Sequence, residues 1–172
     1  MTAAKVALVA VAASVTLSRA VGAQPAIDPT WLSFDAAART LQFQLLAGLT
    51  GRNGGLNFNG FRDGELTLVV PLGWNTRMEF RNLDVLPHSA EVIAPQTPLP
   101  LEPVDPAIPK ALTIKLAAGL PTGGTDTMRF TAQPAGDYVI FCAVPGHGAA
   151  GMWIRLRISA DASSPAMLLT PS

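Results

Sequence analysis

A single cysteine rules out any disulfide within the chain, and only two histidines leave too little imidazole for more than one metal centre. Charge is equally sparse. Charged residues make up 14% of the 172, with twelve basic against twelve acidic and a formal net charge of zero. No run or stripe of Lys and Arg points to nucleic acid, and no acidic block points to a disordered acidic tail. An uninterrupted apolar span of the roughly 20 residues that a bilayer requires is also absent. Helical periodicity is nearly missing, with a single turn expected at 36–39.

What is present is apolar material, 49% of the chain, enough for the core of one domain. The N-terminus reads as an export signal over residues 1–23: Lys5, a mostly apolar stretch from Val6 to Leu17, and the small residues Val21, Gly22 and Ala23 before Gln24. A retained anchor, extended through Ala20 to Ala23, is the alternative, although Arg19 interrupts it. Either way the mature domain is expected in the periplasm or an equivalent extracytoplasmic space, free if the leader is cleaved and membrane-anchored if it is kept. Removing the leader takes Lys5 and Arg19 with it and leaves a formal charge of −2. Residues 24–30, with Pro25 and Pro29, read as a linker.

From there the chain alternates. Thr40-Leu-Gln-Phe-Gln-Leu-Leu46, Leu56-Asn-Phe-Asn-Gly-Phe61, Arg77-Met-Glu-Phe-Arg-Asn82, Asp126 to Ala132 and Trp153 to Ile158 all switch between polar and apolar at period two, as half-buried strands do. Glu65 to Val70, His88 to Ala94 and Ala111 to Leu116 read as further strands, and Tyr138-Val-Ile-Phe-Cys142 as a fully buried one. Gly, Pro and Asn turns separate them, among them the glycine-rich Gly51-Arg-Asn-Gly-Gly55. Six prolines between Pro95 and Pro109 exclude a central strand there. Many short strands with regular turn signals predict an all-β, antiparallel Greek-key β-sandwich over residues 31–159, with a Pro-rich insertion at 95–109 and a flexible tail at 160–172.

The chemistry gathers in Phe141-Cys-Ala-Val-Pro-Gly-His-Gly-Ala-Ala-Gly-Met-Trp153. It carries the sole cysteine, Cys142, one of the two histidines, His147, and Met152, spaced Cys-x4-His-x4-Met. The other histidine, His88, lies 54 residues before Cys142. Each alone has a plain structural reading: a buried apolar thiol, a loop imidazole, a gap-filling methionine. Together they make two imidazoles, a thiolate and a thioether, the donor set of a trigonal His2Cys copper site with a weak axial Met. An unpaired thiol in an oxidising compartment also needs protection, which burial under a metal supplies. Gly146, Gly148 and Gly151 allow the tight return of the loop, and Pro145 removes one N–H that could otherwise reach the thiolate. Ser89 is a candidate to tie the two ligand segments together. Tyr138 is a candidate corner tyrosine, and Trp153 serves either as a shield for the site or as core.

Four segments resemble the cupredoxin superfamily, and sulfocyanins most closely: Gly54-Gly-Leu-Asn-Phe-Asn-Gly-Phe61, Val70-Pro-Leu-Gly-Trp74, Leu86-Pro-His-Ser89 and the segment from Phe141 to Met152. The resemblance spans about Trp31 to Ile158. It implies one copper ion bound by His88, Cys142, His147 and Met152, and a carrier of electrons to or from respiratory complexes. With all four positions filled by protein, no coordination site remains for a substrate, so an enzyme is not expected. The electron is expected to pass through the His147 edge, amid a small uncharged patch of Leu86, Pro87, Pro145, Gly146, Gly148, Ala149 and Ala150 on which redox partner proteins dock. The chain is expected to be a monomer. A periplasmic copper-storage or delivery protein is the alternative use of the same residues.

Overall fold

The computed structural model describes residues 25–170; the leader expected over 1–23 lies outside them. A 3-10 turn, Pro29–Trp31, opens the domain, its Thr30 N–H capped by the Asp28 carboxylate. Nine strands follow: β1 Leu32–Asp35, β2 Thr40–Ala47, β3 Leu66–Pro71, β4 Asn75–Asn82, β5 Glu91–Ile93, β6 Thr125–Thr131, β7 Gly136–Phe141, β8 Trp153–Ser159 and β9 Ala166–Leu169. They form two sheets, ordered β1-β2-β4-β6 and β5-β7-β8-β3-β9. Among the described residues no helix is long and apolar enough to cross a membrane.

Alternation decides which side chains meet between the sheets. Leu41, Phe43, Leu45 and Ala47 of β2, Met78 and Phe80 of β4, and Met128 and Phe130 of β6 face Leu66, Leu68 and Val70 of β3, Ile140 of β7, and Ile154, Leu156 and Ile158 of β8. Tyr138 turns its hydroxyl back onto Pro134 C=O at 2.8 Å, the corner role expected of it.

The sandwich is as expected; the pairing is mixed rather than purely antiparallel. β2 runs parallel to β4 and β3 parallel to β8, while the other pairs are antiparallel. Hydrophobic alternation specifies the inward face of a strand and is silent on its direction. Here β2, β3 and β4 fall in alternate sheets, so β4 returns beside β2 in the same sense, a crossover in place of a hairpin.

Two predicted strands are replaced by something else. Leu56 to Phe61 makes only isolated bridges, Ala47 to Phe58 and Phe58 to Phe61. Phe58 and Phe61 enter the core, and the asparagines substitute for a ladder. β1 covers only the first half of β2. Beyond it, Asn59 donates its N–H to Leu46 C=O at 2.7 Å, accepts the Leu46 N–H on Oδ1 at 3.1 Å and donates Nδ2 to Gln44 C=O at 2.9 Å. Asn is suited to this because its amide copies a backbone unit and it tolerates the left-handed φ of 52° found there. Replacing Asn59 with alanine strands two partly buried backbone groups, Leu46 N–H and Gln44 C=O, and we expect a loss of about 1–2 kcal/mol in urea unfolding. The second case, Ala111 to Leu116, bridges β5 only at Leu112, with Val92 and Thr113 N–H groups completing the contact.

The tail departs from expectation as well. Residues 160–172 read as flexible, yet Ala166–Leu169 forms β9 and pairs antiparallel with β3. β3 is otherwise an open edge, which natural sheets cover, and the short Ala-Met-Leu-Leu run supplies the cover. Residues 94–109 contain no strand, as the prolines require; Ile108 and Ala111 reach the main core, while Leu99 and Leu116 pack on the outer face of the second sheet. Ile93, Val139, Phe141 and Ala143 are buried there with Leu99 and Leu116 in a second small core. That cover explains why β7 is apolar on both faces.

Candidate metal centre

β7 ends at Phe141, and Cys142 follows immediately with its N–H on Met152 C=O at 3.0 Å. The intervening loop is closed by backbone bonds from His147 N–H to Val144 C=O, Ala150 N–H to Gly146 C=O and Met152 N–H to His147 C=O, each 3.0 Å. Gly148 is required at its position: a Cβ there would lie 2.5 Å from the Phe141 ring. The loop is also held from outside, by Asn53 Nδ2 on Ala150 C=O and by Gly146 N–H on Leu101 C=O, both 2.9 Å. Across from it, His88 exchanges backbone bonds with Leu120, at 3.1 and 2.7 Å.

These elements bring three donor atoms together. His88 Nδ1 and His147 Nδ1 lie 3.2 Å apart, and Cys142 Sγ is 3.8 Å from the first and 3.6 Å from the second. A trigonal ion bonded at about 2.0 Å to nitrogen and about 2.3 Å to sulfur needs donor separations of about 3.5–3.7 Å, so the triangle fits one first-row ion. Met152, fully buried, follows the loop and is tied by backbone bonds to both Cys142 and His147. All four residues singled out in the sequence therefore belong to one place. His88 and Cys142 are fully buried, whereas His147 keeps part of its surface in solvent.

The electrostatics suit a metal. Burial pushes the Cys142 thiol upward, against N–H groups of Ser89 and Val144 that favour the thiolate. Burial lowers both histidines; at His88 the Asp84 carboxylate opposes this, and at His147 the neighbouring His88 adds to it while Asp84 opposes. The site therefore offers neutral imidazoles with free lone pairs and a thiol that is protonated without a cation.

Two secondary expectations change. Ser89 reaches Cys142 Sγ through its backbone N–H, at 3.4 Å, while its hydroxyl goes to Leu116 C=O at 2.8 Å. Trp153 does not cover the site; it packs on the outer cluster of β5 and β7 and stacks under the Arg155 guanidinium, 5.2 Å from the ring centroid. One residue escaped sequence reasoning altogether. Asp84 Oδ2 lies 3.1 Å from His88 Nε2. A cavity of about 870 Å³ opens beside β1, β2, β4 and β6, and none of the four residues lines it.

Comparison with known proteins agrees with this geometry. The model of the sulfocyanin (SoxE) domain matches residues 29–169. The chain belongs to the sulfocyanin family. A sulfocyanin of Sulfolobus acidocaldarius is 31% identical over 116 residues, 63% of this chain and 58% of that protein, so the match spans little more than half of the relative's length. Two rusticyanin crystal structures share the fold. One has a TM-score of 0.55 at 19% identity, covering 79% of this chain and 86% of its own. The other, of the reduced protein, has a TM-score of 0.51 at 24% identity, covering 70% and 85%. The sulfocyanin fold thus carries a His-Cys-His-Met cluster arranged as a type 1 copper site.

Proposed function

We propose that this member of the sulfocyanin family is an exported one-electron carrier of a respiratory chain, with His88, Cys142, His147 and Met152 as its copper ligands. The observation that carries the reading is the closed donor triangle at the end of a rigid sandwich. Copper, when bound, supplies a one-electron couple. What the chain contributes is a donor set that hardly moves: each ligand is fixed by backbone bonds, so little reorganisation accompanies a change of charge. No open position is left for a substrate, which favours a carrier over an enzyme. Cys142 supplies the thiolate, and the partly exposed His147 is the route from solvent to the centre. Export rests on the leader-like residues 1–23.

Adding Cu(II) to the mature protein and recording its visible spectrum tests this. An intense thiolate-to-copper band that ascorbate bleaches and oxidation restores is expected; a colourless protein would overturn the reading. Slow exchange of the metal with a chelator separates a carrier from a storage or delivery protein, which must release its ion.

Partner proteins are proposed to dock where Pro145, Ala149 and Ala150 of the loop stand exposed, with Val85, Leu86 and Pro87 before His88 also exposed. Weak redox encounters use small interfaces. A charge placed there, Ala149→Asp, should slow transfer to the physiological partner about tenfold while leaving the blue band intact, as stopped-flow mixing would show.

A further inference from the structure

Asp84 stands in the turn between β4 and β5, four residues before His88, and the structure spends several groups on holding it. Its N–H donates to Asn82 Oδ1 at 2.9 Å, its C=O accepts the Thr122 hydroxyl at 2.7 Å, and its Oδ1 accepts the Val85 N–H at 2.7 Å. Asn82, fully buried, is itself anchored by Nδ2 to Leu86 and Leu120 C=O at 2.7 and 2.9 Å. Two glycines make the space. A Cβ on Gly48 would sit 2.3 Å from Asp84 Cβ, and one on Gly55 would sit 2.0 Å from Asp84 Oδ2. Both glycines have positive φ, 65° and 89°. The glycine-rich turn at 51–55 thus leaves room for a carboxylate 29 residues further on. That carboxylate has no Lys or Arg within ion-pair distance among the described residues; its partner is His88 Nε2 at 3.1 Å.

We propose that Asp84 is the positioning residue of the centre: by accepting the Nε2–H of His88 it keeps the Nδ1 lone pair aimed at Cys142 and His147, and its fixed negative charge lowers the reduction potential. The inference rests on the copper reading given above. A neutral imidazole carries one proton. Bonding that proton to a carboxylate on the far side of the ring settles the tautomer, as carboxylate–histidine–metal relays do. His147 Nδ1, 3.2 Å from His88 Nδ1, is then free to donate into the same lone pair when no metal is present. As for charge, the oxidised centre is one unit more positive than the reduced one. A carboxylate behind a ligand ring, shielded in a side chain only 16% exposed, favours the oxidised form.

Asp84→Asn separates the two effects, because the amide oxygen can still accept the Nε2–H while the charge is gone. At a fixed ambient potential the Cu(II)-to-Cu(I) ratio of the variant should fall about tenfold, an upward shift of about 59 mV in spectroelectrochemical titration. The blue band should persist. A variant that is blue with an unchanged midpoint overturns the tuning role. A wild-type protein that never turns blue overturns the copper reading instead, so the two failures are distinct. The positioning role is read in metal-free wild-type protein, without any substitution, by long-range proton–nitrogen correlation of the imidazoles. His88 should carry its proton on Nε2; a proton on Nδ1 overturns the proposal.

Discussion

Cys142→Ser should abolish the intense visible band and with it the reversible one-electron couple. A hydroxyl in the same place cannot become the soft anionic donor the site is built for, and His88 with His147 would hold Cu(II) weakly and nearly without colour. The fold should survive, since the change is of one atom in a fully buried position and leaves the backbone bond to Met152 intact. The wild-type thiol has a corollary. Burial holds it above the ordinary thiol range despite the N–H groups of Ser89 and Val144. Copper must therefore displace a proton, and apparent affinity should fall about tenfold for each pH unit of acidification below the thiol's value. Both histidines are displaced downward by burial, so they do not compete for protons until the medium is more acidic. Competition titration against a chelator at several pH values measures the slope. The serine variant should lose the share of that slope due to the thiol, and a serine variant that stays blue would remove Cys142 from the centre.

The centre was legible in the sequence for a local reason. A buried strand ending in Cys142, a loop short enough to return within ten residues and rich in glycine, and a methionine at its far end already dictate which groups meet. His88 joined them by residue type and by the resemblance of Leu86-Pro-His-Ser89, since nothing in its spacing forces a loop 54 residues away to close on Cys142. Asp84 was out of reach for the same reason. Its significance depends on Gly48 and Gly55, which lie in another turn and reveal their purpose only when the chain is folded against them. The sandwich, likewise, could be read from period-two alternation, whereas strand direction could not. The Asn57-Phe-Asn59 segment alternates like a strand yet acts as a side-chain substitute for one. Ala166–Leu169 looked like loose tail because four apolar residues have no pattern of their own; what orders them is the open edge of β3.

Glu91→Gln should stabilise the protein by about 2 kcal/mol near neutral pH and flatten its stability profile. Glu91 lies on the outer face of β5, fully buried beneath the Pro-rich cover. One carboxyl oxygen accepts a long bond from Val104 N–H at 3.4 Å, and the other has no partner. Burial raises its pKa; the Val104 N–H opposes the shift and the nearby Asp105 adds to it. In the unfolded chain Glu91 gives up its proton at an ordinary carboxylate pH, and in the folded chain only at higher pH. Between the two the native state holds the extra proton, so stability is greatest below the unfolded value and falls as pH rises through the folded one. Glutamine keeps the shape and removes the ionisation, and its gain over wild type should vanish in acid and grow toward neutrality. The depressed histidines act in the opposite sense, losing stability as pH falls, and they are common to both proteins, so the difference between the two urea midpoints isolates Glu91. The same cover reaches the metal loop through Gly146 N–H on Leu101 C=O. Through that bond the charge beneath the cover is expected to loosen the segment that presents His147, so the glutamine variant should hold its copper against a chelator longer than wild type at the alkaline end. Parallel stability profiles for the two proteins across acid and neutral pH would show that Glu91 does not carry this dependence.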